Sequence, residues 1–144
     1  HIYQGNNSRL DEIQAAFLTA KLLKLDKVNE DRRKIAKKYL EGMNNPEVVM
    51  PYVPDYANPV WHIFGVRCKR RSELESFLID VGVVTNKHYP IPIHLQECYK
   101  DLGYKKGDFP VAEEISSTEL SLPMYYGMTD EEIQYVIDKV NEFK

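Results

Sequence analysis

Apolar residues recur at Leu10, Ile13, Phe17 and Ala20, then at Leu25, Val28, Ile35 and Tyr39. That is a helical period, not the alternation of a strand. Ser8 with Asp11 has the form of a capping box at the start of this run. No proline interrupts it before Gly42, which reads as its stop. The spacing predicts one helix over about 8–42, roughly 45–50 Å long at 1.5 Å per residue. That is too long for the core of a small domain and suits a strut between two domains or two chains.

The pattern then changes. Asn44-Asn45-Pro46 marks a turn, and residues 47–59 hold three further prolines and read as an irregular connector. Val60–Cys68 is β-rich, with His62, Phe64, Val66 and Cys68 on one face and Trp61 and Ile63 on the other. Ser72 with Glu75 is a second capping box, opening a helix that turns Leu74, Phe77, Leu78 and Val81 inward and stops at Gly82. Val83-Val84-Thr85 reads as a short strand, so strand, helix and strand follow one another, as in a small α+β layer. Residues 86–94 form a loop stiffened by Pro90 and Pro92. A short helix over about 94–101 ends at Gly103, and another starts at Pro110. Leu120–Pro123 is a strand running into a turn. Thr129 with Glu132 caps a terminal amphipathic helix whose apolar face is Ile133, Val136, Ile137, Val140 and Phe143.

The 144 residues leave room for one ordinary core, and the formal net charge is −3 with both signs mixed. Neither nucleic acid nor an acidic membrane surface is implied as a partner, and Lys69-Arg70-Arg71 reads as a solvated turn. No apolar run reaches transmembrane length. Cys68 and Cys98 lack metal or redox spacing and read as packing residues, which fits a reducing cytoplasm. The chain opens His-Ile-Tyr without a methionine, and with the long helix this points to the tail of a longer protein.

Candidate chemistry is sparse. Asn6, Asn7 and Arg9 stand at the mouth of the first helix, where free N–H groups favour an anion; the same residues also describe an ordinary capped helix. His88, Tyr89 and His94 share the proline-stiffened loop, and binding residues concentrate on such loops. Packing and surface hydrogen bonds would account for them equally well. His62 reads as a half-buried strand residue. No metal site is expected, and no nucleophile elbow, phosphate loop or zinc motif is present.

Taken in order, several segments resemble one family. Gly5-x-Asn7-Ser8-Arg9-Leu10-Asp11-Glu12-Ile13-Gln14-Ala15-Ala16 is similar to a segment of the DegT/StrS-type sugar-nucleotide aminotransferases. Arg32-Arg33-x-Ile35-Ala36-x-x-Tyr39 fits the same helix. His88-Tyr89-Pro90, His94-Leu95-Gln96-x-x-Tyr99, Gly107-Asp108-Phe109-Pro110-x-Ala112-Glu113 and Leu120-Ser121-Leu122-Pro123-Met124 follow in the family's order. The resemblance implies a fold type I (aspartate aminotransferase-like) enzyme using pyridoxal 5′-phosphate (PLP). Residues 1–144 would be its small C-terminal α+β domain, with the interdomain helix and a small, mostly antiparallel sheet. The large N-terminal domain, with the lysine that holds the cofactor covalently, would lie upstream, so no catalytic residue is assigned here and the fragment alone is expected to be inactive. The implied reaction is amino transfer from glutamate to a keto-sugar nucleotide at a homodimer interface, for surface polysaccharide. The 89–96 and 107–110 segments look closest to the branch acting on dTDP-3-keto-6-deoxyhexoses. A 4-keto or UDP-linked sugar, or a non-catalytic interaction or dimerisation module, is the alternative. By the same resemblance Asn7 and Arg9 are the cofactor-binding candidates, and His88, Tyr89 and His94 the substrate-binding ones.

Overall fold

The middle strand of the fold is β2 (Phe64–Cys68), whose alternation buries Phe64, Val66 and Cys68 on one face, as its pattern predicts. The computed structural model describes residues 1–144. β2 lies between β1 (Val48–Val49) and β3 (Glu119–Leu122), antiparallel to both, with Val66 opposite Leu120 and Gly65 opposite Ser121. The buried face meets α2 (Leu25–Gly42), α3 (Arg71–Asp80) and α5 (Asp130–Glu142), which supply Ile35, Tyr39, Leu74, Leu78, Ile133 and Val140 to one core. The Tyr39 ring meets Phe64 edge-on at 5.1 Å, and its hydroxyl donates to the carbonyl of Pro123 at 2.9 Å. Burial pushes the Tyr39 phenol above its ordinary range. On the other face α4 (Pro110–Thr118) reaches β2 through an ion pair of Arg67 with Glu114. The architecture is the expected α+β arrangement with a small antiparallel sheet.

Two side-chain anchors hold the irregular segments. Arg32 on α2 donates through Nη1 to the carbonyls of Trp61 and Met124, both at 3.1 Å, joining the approach to β2 to the exit from β3. Buried Asn45 donates from Nδ2 to the carbonyls of Val140 (2.7 Å) and Phe143 (2.8 Å), which end α5 without intrahelical partners. Its Oδ1 accepts the Glu47 N–H at 2.9 Å.

Several expectations change. The long helix is two: α1 (Glu12–Leu22) ends, and α2 begins after a turn at Leu23 and Lys24. Asp11, not Ser8, caps α1, accepting the Gln14 N–H at 2.7 Å. Gly42 is the last helical residue of α2, and a Cβ there would come within 2.9 Å of the Ile137 side chain. A glycine is needed there for the close approach to α5, not for a left-handed backbone. Ser72 caps nothing, because α3 already starts at Arg71. Gly82 does stop α3, at φ +81°, where a side chain would be strained. Val83–Thr85 is no strand; only Asn86 bridges to Ser121. β2 starts at Phe64, so His62 lies before it and is exposed. β1 formed from part of the expected connector. The short helix after the loop is a pair of 3-10 turns, Ile93–Leu95 and Glu97–Leu102, ended by Gly103. The Thr129–Glu132 capping box is present in both directions.

Asn45→Ala should destabilise the chain by about 2–4 kcal/mol in denaturant unfolding, since it leaves two buried carbonyls unpaired. Thr129→Ala, losing one exposed cap, should cost about 1 kcal/mol. Equal midpoints for the two variants would contradict the role given to Asn45.

Candidate functional site

The segment leading into α1 is exposed from His1 to Asp11. It is tied down near its start, where Cys98 N–H donates to the carbonyl of His1 at 3.2 Å and Gln4 Nε2 to the carbonyl of Cys98 at 3.3 Å. Asn7 and Arg9 meet in it: Arg9 Nε donates to Asn7 Oδ1 at 2.9 Å. That contact occupies the amide oxygen, so the Asn7 NH2 group is the free end. Two donor-bearing groups are left facing outward, which is the chemistry an oxyanion requires. They are not at the helix mouth as expected. Leu10 turns the chain at φ +72°, and the Asp11 carboxylate already fills the N-terminus of α1.

The 86–94 loop carries the other candidates, and they separate. His88 points back into the fold: Nδ1 lies 2.9 Å from Ser121 Oγ, and its backbone N–H donates to Glu119 Oε2 at 2.8 Å. It lines a cleft of about 380 Å³ with Thr85, Asn86 and His62. Tyr89 is exposed, its ring edge-on to His88 at 5.5 Å. It borders a second, more apolar cleft of about 730 Å³, walled also by Ile91, Tyr99, Tyr104, Phe109 and Ile115. His94 lines that cleft too, but its side chain is only 8% exposed. Its Nε2 is 3.0 Å from Glu113 Oε1, and its ring packs on Phe109 at 4.8 Å.

Sequence reasoning named none of Asn86, Glu119 or Ser121 as site residues, and saw Glu113 only as a motif position. Glu113 closes the 107–109 turn over α4, accepting the Gly107 N–H at 2.8 Å as well as meeting His94. Hydrogen bonding from the Gly107 amide, and then from His94, holds its carboxyl below the ordinary range. No group of three or more His, Cys, Asp or Glu side chains is placed to hold a metal. Lys34, Lys100 and Lys139 are each held above the ordinary ammonium range by a hydrogen bond to an adjacent carboxylate. An amine that attacks a carbonyl needs the opposite shift.

The sequence profile of the DegT/DnrJ/EryC1/StrS aminotransferase family matches residues 1–141. The chain belongs to that family. It is 42% identical to a dTDP-3-amino-3,6-dideoxy-α-D-galactopyranose transaminase of Aneurinibacillus thermoaerophilus, over 99% of this chain and 39% of that one. It is 43% identical to a pleiotropic regulatory protein of Geobacillus stearothermophilus, again over 99% of this chain and 39% of the relative. In three dimensions it superposes on a crystal structure of DesV from S. venezuelae with TM-score 0.89 and 41% identity, over 96% of this chain and 38% of that one. The aminotransferase-family chain thus spans about two fifths of the length of these relatives. Its α+β fold is that of one part of such enzymes, and family membership implies PLP as the cofactor. The outward donors of Asn7 and Arg9 fit the cofactor's phosphate. No helix is long and apolar enough to cross a membrane.

Because Glu113 has a lowered folded pKa, its stabilising contribution is complete above the ordinary carboxylate value of 4.5 and is lost as pH falls through the lower folded value. The protection factors of the Gly107 and Phe109 amides, which correct for the intrinsic pH dependence of exchange, should therefore fall on acidification through that window. Glu113→Gln should remove that pH dependence. An unchanged acid profile in the variant would exclude Glu113 as its source.

Proposed function

We propose that this chain is the C-terminal part of a PLP-dependent aminotransferase that moves an amino group from glutamate to a keto-sugar nucleotide. The substrate named by the proposal is a dTDP-3-keto-6-deoxyhexose. The observation that carries it is the 42% identity, over 99% of the chain, to a dTDP-3-amino-sugar transaminase. When bound, PLP supplies the electron sink for amino transfer. In this reading Asn7 and Arg9 donate hydrogen bonds to its phosphate across a homodimer interface, while His88, Tyr89 and His94 border the sugar-nucleotide end. The exposed apolar residues of α1, among them Ile13, Phe17, Leu18 and Leu22, then pack on a large domain that contributes the cofactor's lysine. Exposed apolar surface of this kind marks interfaces.

A second reading has its own support. The regulatory name of the Geobacillus relative favours a family member that binds cofactor or ligand without turnover. Protein made from the complete reading frame, supplied with PLP, glutamate and dTDP-3-keto-6-deoxyhexose, should yield 2-oxoglutarate and the amino sugar. Turnover only with a UDP-linked or 4-keto sugar would move the substrate assignment. Retained PLP without turnover on any of these sugars would favour the regulator. The 144-residue chain alone should give no turnover.

In the complete protein Asn7→Ala should weaken PLP affinity roughly ten- to a hundredfold, the equivalent of about 1.5–3 kcal/mol for one hydrogen bond to a charged group. Asp11→Ala removes the α1 cap and should cost about 1 kcal/mol of stability with little change in PLP affinity. PLP dissociation measured beside thermal unfolding separates the two roles. Wild-type affinity in Asn7→Ala would rule out the phosphate contact.

A further inference from the structure

The face of β3 turned away from the main core holds Glu119 and Ser121, both buried, at 8% and 5% exposure. The space for the carboxylate comes from Gly65 on β2, where a Cβ would lie 3.1 Å from Glu119 Oε1. Both carboxylate oxygens accept: Oε2 takes the His88 backbone N–H at 2.8 Å, and Oε1 takes the Ser121 hydroxyl. Ser121 has a single proton and gives it to Glu119. The 2.9 Å contact between Ser121 Oγ and His88 Nδ1 therefore requires the ring to donate, so Nδ1 carries the proton.

The other side of the ring leads independently to the same tautomer. Asn86 Oδ1 accepts the Lys87 N–H at 2.8 Å, which turns the Asn86 amide nitrogen toward His88 Nε2 at 3.3 Å. A donor faces Nε2, so Nε2 carries a lone pair. That contact is long and Asn86 is exposed, so a better donor can displace it. In the same cleft Thr85 Oγ1 is buried with no hydrogen-bond partner, an uncommon state for a buried hydroxyl.

We propose that Glu119 and Ser121 are positioning residues that fix His88 as the Nδ1–H tautomer, presenting Nε2 as the acceptor for a hydroxyl group of the bound sugar nucleotide. The ligand half of this rests on the reading of His88 as a substrate contact; the tautomer half does not. Only a carboxylate can serve at residue 119. In Glu119→Gln the amide oxygen is required by the His88 N–H, so the amide nitrogen faces Ser121. Ser121 then accepts from it and donates to Nδ1, and the ring proton moves to Nε2.

The test uses protein from the complete reading frame, labelled with 15N-histidine, and long-range 1H–15N spectra that distinguish the two ring nitrogens. Wild type should show His88 as Nδ1–H. Ser121→Ala should give a mixture, Ser121→Thr should keep the wild-type tautomer, and Glu119→Gln should shift it to Nε2–H. In steady-state assays Ser121→Ala should raise KM for the keto-sugar nucleotide about tenfold, as for one lost hydrogen bond. KM for glutamate should be unchanged, and Ser121→Thr should restore the sugar KM. An Nε2–H ring in wild type, which needs no variant to fold, overturns the relay. A tautomer that changes in Ser121→Ala with no change in sugar KM overturns the contact of His88 with substrate and leaves the relay standing.

Discussion

Glu119 places a carboxylate between β2 and the 86–94 loop, and a carboxylate there must be hydrogen-bonded at both oxygens. Three parts of the chain meet that demand. Gly65 leaves out a side chain. Ser121, two residues along the same strand, gives its hydroxyl proton. His88 gives its backbone N–H. The loop is therefore registered against the sheet by the needs of a charge, reinforced by the exchange of backbone hydrogen bonds between Asn86 and Ser121 at 3.1 and 2.7 Å. Losing one partner would leave a buried acceptor exposed to no donor, which costs more than the bond itself contributes. The loop's prolines stiffen it; the buried carboxylate decides where it stands.

The two histidines of the loop divide along the same logic. His94 is pinned between Glu113 and Phe109, with its side chain almost closed to solvent. It joins the loop to α4 and to the 107–109 turn. His88 is fixed from behind through Nδ1, while its other nitrogen meets only a long contact from an exposed amide. Orientation without full engagement is what a recognition group needs, because binding then forms bonds that the free protein does not already make.

Much of the fold was legible, and the failures have specific causes. β2 and α5 were readable because each carries a full period of apolar residues on one face. Ser8–Asp11 and Ser72–Glu75 misled because a capping box is a four-residue pattern, and at both places the helix starts elsewhere. The break at Leu23 and Lys24 has no glycine or proline to announce it. β1 is two residues long and exists through its pairing with β2, Val48 facing Cys68. The relay was hidden for a related reason. Glu119 and Ser121 alternate with Leu120 and Leu122, which is how a strand with one wet face looks. Their burial depends on a loop more than thirty residues earlier in the chain, and no local pattern records it.

The contrast between α1 and the rest of the chain limits how α1 can be held. None of its residues is buried, although Ile13, Phe17, Leu18 and Leu22 lie along it. A free helix of 11 residues is marginal in water, even with good formers. Its Asp11 cap contributes about 1 kcal/mol, and the Thr19 hydroxyl bonded back to the carbonyl of Ala15 adds no stability. In the proposed function its apolar residues are covered by the large domain, which supplies the packing that this core does not. α2 differs, since Ile35, Ala36 and Tyr39 enter the core. The turn at Leu23 and Lys24 thus separates a segment that enters this chain's own core from one that this core does not bury. Asn7 and Arg9 lie at the far end of the second kind. In the proposed function the phosphate contact is made by these two side chains and not by the helix, so loss of the Asp11 cap and loss of a phosphate donor act separately.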